Sequence, residues 1–193
     1  AAKRLLEHPE SPDRTMILGQ VLCEVEEWQM ALPFIQQTVK TEPENGEAWG
    51  LLAEVQQRVG ESGWESLKQA LKYSPHSPTV QAFAALYWRR QARPDIALTY
   101  LNALMNQYPD QAAWHVELGN TLAEMGNLPF ALDHYQTAVR LDTQNASYWR
   151  ALALFCLRYD VDIEGAGLTA ARQAVLLAPN EAAALDVMGW LLM

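Results

Sequence analysis

An all-α array of paired helices is the fold class this sequence predicts, and three observations predict it. The first is a period: Pro9, Pro43, Pro75, Pro109, Thr143 and Pro179 are separated by 34, 32, 34, 34 and 36 residues. A near-constant step of about 34 marks stacked helix–turn–helix units. The second is a set of small-residue columns in one register. Ala31, Gly63, Ala97, Ala131 and Gly167 lie twelve residues before a mark, and Gly19, Ala53, Ala85, Gly119, Ala153 and Gly189 lie ten after one. A third column, Thr38, Ala70, Leu104, Ala138 and Ala174, has Leu104 as its large exception. Small residues recur where two helix axes approach closely. The third observation is apolar spacing of the helical kind between the columns.

The chain divides in order. Residues 1–10 read as the end of a preceding second helix. Five units follow at 11–43, 44–75, 76–109, 110–143 and 144–179, and 180–193 reads as the first helix of a further unit. The fourth unit shows the logic. Trp114, Val116, Leu118, Leu122 and Met125 fall largely on one side of a helix that Gly126-Asn127 ends, as a glycine just past a helix terminus does. A second run, Phe130, Leu132, Tyr135, Ala138, Val139 and Leu141, stops at Asp142–Asn145. Proline suits that second turn because it cannot continue a helix interior. The second unit is two residues short around Gly60–Trp64, and the fifth is two residues long around Tyr159–Gly165. Both changes fall in the turn between paired helices, where length changes are cheapest. The chain begins without Met and ends on the apolar run Val187–Met193, where arrays usually carry a polar cap. That reads as a piece of a longer protein. The alternative is a C-terminal helix that pairs with another copy.

Composition narrows the function. The net charge of −9 argues against nucleic acid as a partner. No apolar run reaches the 18 or more residues that span a bilayer, and no signal peptide is visible. Chemistry is thinly supplied. His8, His76, His115 and His134 stand alone, without metal-ligand spacing. Asp133-His134 reads as surface, since neighbouring helix residues point in different directions. Gly165-Ala166-Gly167 follows no strand and precedes no Lys, so it reads as a lengthened turn rather than a phosphate loop. Glu24, Glu26 and Glu27 read as a solvated helix end. Cys23 and Cys156 sit in first helices, as small buried hydrophobes. An enzyme is not expected, nor a cofactor or metal.

Trp114…Leu118-Gly119…Gly126…Ala131…Tyr135…Ala138 resembles the tetratricopeptide repeat. Glu47–Trp49…Leu52-Ala53 and Ala146–Trp149…Leu152-Ala153 match the first-helix half, with Trp114 one place early; Ala84-Ala85 replaces Leu-Gly in the third unit. The resemblance covers the chain and implies a right-handed α-solenoid whose first helices line a concave groove for a peptide or partner helix. It implies groove positions at Met16, Gln20 and Glu24; Glu47, Glu54 and Arg58; Ala82, Leu86, Arg89 and Arg90; Val116, Asn120 and Glu124; Arg150, Leu154, Leu157 and Arg158; and Asp186 and Trp190. Arginine forks suit carboxylates, so Arg89-Arg90 and Arg150/Arg158 are candidate docking points for an acidic tail. The other reading is that these arginines pair with acids of the adjacent unit. The carboxylate clamp of co-chaperone relatives is not reproduced, because Met16, Ala82, Leu86 and Val116 stand where Lys or Asn is needed. Such a mixed apolar groove fits an amphipathic helix or an extended apolar peptide. The expected role is a protein-binding scaffold or adaptor. The alternatives are self-association through the ends, including the C-terminal helix, or a regulatory repeat domain of a larger enzyme.

Overall fold

The computed structural model describes residues 12–193; the expected preceding helix and the Pro9 mark lie outside the described residues. Two compact units result, one ending at Arg93 and the other running Pro94–Met193. The first holds α1 (Pro12–Glu24), α2 (Trp28–Thr41), α3 (Gly46–Arg58), α4 (Trp64–Tyr73) and α5 (Pro78–Arg90). The second holds α6 (Pro94–Gln107), α7 (Ala112–Glu124), α8 (Leu128–Leu141), α9 (Ala146–Tyr159), a π-helical turn (Ile163–Gly167), α10 (Leu168–Leu177) and α11 (Ala182–Leu191). No strand occurs among the described residues. First helices carry odd numbers and second helices even ones. Within each unit, helices pair with their sequence neighbours; among first helices, α3 lies beside α5, α7 beside α9 and α9 beside α11.

Two backbone devices explain the period. The turn from first to second helix puts a residue just past the first helix in the left-handed region every time: Glu26 (φ 60°), Gly60 (90°), Ala92 (54°), Gly126 (79°) and Asp160 (54°). The next residue's N–H then reaches back five places: Glu27 to Leu22, Glu61 to Gln56, Arg93 to Trp88, Asn127 to Leu122 and Val161 to Cys156. This is the Schellman arrangement, which satisfies carbonyls orphaned at a helix end. Only two of the five positions are glycine, so the sequence signals the device at Gly60 and Gly126 and conceals it elsewhere.

The second device sits at the marks themselves. In four successive turns the mark's carbonyl accepts a hydrogen bond from a side chain six residues on. Trp49 Nε1 donates to Pro43 at 2.8 Å, Gln81 Nε2 to Pro75 at 3.1 Å, His115 Nε2 to Pro109 at 3.0 Å and Trp149 Nε1 to Thr143 at 2.9 Å. A turn carbonyl has no helical partner, and the side chain supplies one. The slot therefore selects an N–H donor rather than an aromatic ring, and His115, not Trp114, fills it in the fourth unit.

Packing follows the small columns. In the first unit the core gathers Ala31, Ile35, Val39, Ala48, Leu51, Leu52 and Val55. In the second it is built on Ala131, Tyr135, Leu152, Phe155, Cys156, Ala170, Ala171 and Val187. Ala31, Ala97 and Ala131 are fully buried. Gly63 is also buried, at φ 65°, and a Cβ there would lie 2.5 Å from the Ala53 carbonyl oxygen.

Three sequence expectations need correction. Gly165-Ala166-Gly167 is not a turn: the two extra residues are absorbed as a π-helical turn leading into α10. Asp162 opens it in the left-handed region, and its carboxylate accepts from Ala166 N–H at 3.0 Å. Met125 lies off the core, 46% exposed, while the polar His115 and Thr121 of α7 are buried. Pro33 lies inside α2, on its exposed side, where the sequence logic placed prolines in turns.

Candidate functional site

Two equivalent positions on successive first helices are those that the resemblance places at the middle of the first-helix face. One column runs Gln20, Glu54, Leu86, Asn120, Leu154 and Trp190; the other runs Glu24, Arg58, Arg90, Glu124 and Arg158. The helical spacing of four places each pair on one side of its helix.

In the first unit this face is closed by its own charges. Glu54 of α3 is 9% exposed. It accepts from Arg58 Nε at 3.0 Å and from Arg90 Nη2 of α5 at 2.7 Å, and Arg90 Nη1 bonds its other oxygen. Arg90 Nη1 also donates to Gln57 Oε1 at 2.9 Å, and the Arg58 guanidinium lies 4.9 Å over the Trp28 ring. Burial raises the Glu54 pKa, but the bonds and charges of Arg90 and Arg58 outweigh it, holding the carboxyl below its ordinary value. Ser77, which caps α5, donates to Glu47 Oε1 at 2.7 Å. Met16, Ala82, Leu86 and Arg89 are half-buried, and Gln20 and Glu24 are exposed. The basic middle expected at Arg89-Arg90 is therefore an internal network at Arg90, and Arg89 is also engaged.

The second unit leaves more open. Asn120 accepts from Tyr135 Oη at 2.5 Å, which ties α7 to α8. Arg150 pairs with Glu181 at the start of α11, so its fork is taken by the adjacent repeat. Leu154 is 40% exposed in the middle of α9, with Val116 and Leu157 half-buried. Arg158 is exposed and makes no ion pair among the described residues. Asp186 is exposed, as is Trp190. Trp28, Gln57 and Glu181 complete these networks. None lies at an expected groove position; the only signal for Glu181 is its place one repeat after Arg150.

His115 and His134 do not stand alone. Their Nδ1 atoms are 2.9 Å apart, and His115 is buried. A carbonyl only accepts, so the bond to Pro109 fixes the His115 proton on Nε2. His115 Nδ1 then accepts from His134 Nδ1–H. Burial, and secondarily the charge of His115, lower the His134 pKa, with Asp133 opposing. Burial also pushes the thiols of Cys23 and Cys156 up to about 11, so neither is poised as a nucleophile. No group of three or more His, Cys, Asp or Glu is placed to hold a metal among the described residues. No described helix is long and apolar enough to cross a membrane.

Paired helices, a Schellman turn in every unit and small columns at each crossing define a helical-repeat protein. No protein-family model matches the chain. A human protein, interferon-induced protein with tetratricopeptide repeats 2, is 27% identical over 126 residues, 61% of this chain. The match covers 27% of that relative's length. Among solved structures, the thermophilic TPR protein TTC0263 of Thermus thermophilus superposes with a TM-score of 0.83 at 20% identity, covering 95% of this chain and all of that one. The human IFIT1 dimer with PPP-AAAA gives 0.79 at 19% identity, covering 96% of this chain and 47% of that one. YrrB, a TPR protein with an unusual peptide-binding site, gives 0.59 at 17% identity, covering 98% and 100%. The chain has the tetratricopeptide-repeat fold.

Proposed function

We propose that this chain acts by binding another protein rather than by catalysis, taking a peptide or partner helix on the first-helix face of Pro94–Met193. One contrast carries this reading: the face spends its charges internally around Glu54 but exposes Leu154 beside an Arg158 that makes no ion pair among the described residues. The exposed Leu154 offers an apolar anchor, and Arg158, one turn along the same helix, offers a fork for a carboxylate. The peptide-binding site that gives YrrB its description supports a face of this kind on this fold. Arg90 and Arg150 belong to the scaffold in this reading, because each holds a carboxylate of its own unit.

The test is selection from a displayed peptide library with the whole chain, followed by titration of the enriched peptide. Leu154→Asp and Arg158→Glu should each weaken binding by about tenfold or more, with helical content unchanged. A selected peptide that binds both variants as well as the parent would refute this face as the site.

A further inference from the structure

The histidine pair between α7 and α8 is a contact that the proposed function does not use. His115 fills the slot that caps the turn carbonyl, its Nε2–H donating to Pro109 at 3.0 Å. That bond commits the proton to Nε2 and leaves a lone pair on Nδ1. The lone pair faces His134 Nδ1 of α8 at 2.9 Å. The ring centroids are 5.1 Å apart and the planes are tilted by 39°, so the rings meet edge to edge through these nitrogens rather than stacking. His115 is buried, whereas His134 is only half-buried, which leaves the pair within reach of water.

A metal-ligating imidazole is held in this way. One ring nitrogen donates to a backbone carbonyl, which fixes the tautomer and the ring direction, and the other nitrogen is left to bind. The separation fits as well. An ion about 2.0–2.1 Å from each nitrogen sets them about 2.9 Å apart at a right angle and about 3.3 Å apart at the tetrahedral angle. The observed 2.9 Å matches the first and reaches the second with an opening of about 0.4 Å. On binding, His134 loses its Nδ1 proton to solvent and takes one on Nε2, so the neutral pair releases no net proton.

We propose that the Nδ1 atoms of His115 and His134 bind a divalent transition-metal ion of the imidazole-preferring class, Zn²⁺ or Cu²⁺, across the α7–α8 pair. No third His, Cys, Asp or Glu joins them among the described residues, so water fills the remaining coordination positions. Two imidazoles without a carboxylate select against Mg²⁺ and Ca²⁺, which take oxygen ligands. The ion ties a first helix to the second helix of its own repeat, and binding only the folded pair stabilises it. The ligands are 19 residues apart on two helices, a spacing no local metal motif has, and for that reason they look isolated in the sequence. The site uses neither Leu154 nor Arg158, so the inference stands independently of the proposed function.

The probe is zinc chloride, titrated into the whole chain labelled at nitrogen and followed at the imidazole nitrogens by long-range proton–nitrogen NMR. The Nδ1 resonances of His115 and His134 should shift together and saturate below about 1 mM zinc, while calcium chloride leaves them in place. Saturating zinc should raise the melting temperature by about 2 °C or more. His134→Gln should weaken zinc binding by about tenfold or more and abolish the melting shift, with helical content unchanged. His115→Gln, which keeps an N–H for the Pro109 carbonyl, should do the same. Leu154→Asp should leave zinc binding unchanged. Shifts confined to His8 and His76 would mean an adventitious ion only and overturn the proposal. So would no saturation up to about 1 mM zinc, or zinc binding equally tight in His134→Gln.

Discussion

In residues 12–93 the middle of the first-helix face is Glu54, gripped by Arg58 and Arg90; in residues 94–193 the equivalent residue of α9 is Leu154, touching solvent. The two stretches share the same turn geometry, the same small columns and the same carbonyl-capping slot. On the first-helix face they differ in the side chains at two positions per repeat, Glu54 and Arg90 against Leu154 and Arg158. A repeat backbone therefore does not by itself make a binding surface. The residues at those two positions decide whether charges on the face are paired between helices, as at Glu54, or a side chain reaches solvent, as at Leu154.

The sharpest way to break this comparison is to remove the charge network. Arg90→Met should cost about 2–4 kcal/mol in urea unfolding, since Glu54 would stay buried with only Arg58 beside it. Arg158→Met, at the equivalent position of the second unit, should change stability by no more than about 0.5 kcal/mol. The network also sets an acid limit. The folded pKa of Glu54 is depressed, so its stabilisation is present above the ordinary value of 4.5 and is lost as pH falls through the lowered folded value. Arg90→Met should flatten that acid limb.

Overpacking tests what the stretches share. Ala131→Leu should cost roughly 1–3 kcal/mol, because the site is fully buried between α7 and α8; an unshifted melting curve would contradict the close crossing. His115 separates capping from pairing. His115→Gln keeps an N–H for the Pro109 carbonyl, as Gln81 does for Pro75, and should be more stable than His115→Leu by about 1 kcal/mol. A pH series adds the sign. The folded pKa of His134 is depressed, so the stability linked to it is complete above 6.5 and declines as pH falls from there toward the lowered value. His134→Leu should remove that slope below the ordinary value of 6.5, readable in the chemical-denaturation midpoint.

A small expected effect is also the most diagnostic of the turns. Ala92→Gly should stabilise by about 0.5–1 kcal/mol, since alanine is held at φ 54° where glycine sits without strain. The reverse change, Gly126→Ala, should destabilise by a similar amount. Equal melting of Ala92→Gly and the parent would mean that the left-handed turn is not under strain.

Much of the fold was legible in sequence because period, small columns and turn prolines are local, repeated signals. Helix pairs, the breaks at Gly126 and Gly60, and the close crossing at Ala131 each leave a mark in residue type. The left-handed turns at Glu26, Ala92 and Asp160 leave none, because the five-residue back-bond is strong enough to hold residues that do not prefer that conformation. The capping slot escaped for a related reason. Trp, Gln and His look unlike one another in sequence, and only their shared hydrogen bond to a turn carbonyl unites them.

For the candidate site the balance shifts toward tertiary structure. Sequence reasoning named the positions on the first helices, and it set two fates for the arginines side by side: open fork or inter-repeat pair. Which fate each meets depends on an acid more than 30 residues away, Glu54 for Arg90 and Glu181 for Arg150. Arg158 meets no such acid among the described residues. By itself, then, the sequence determined a helical repeat, its register and the absence of any recognisable catalytic motif, because those rest on periodicity and residue type. Only the packed structure decided which charges are spent and which leucine reaches solvent, because each outcome depends on what lies across the helix interface.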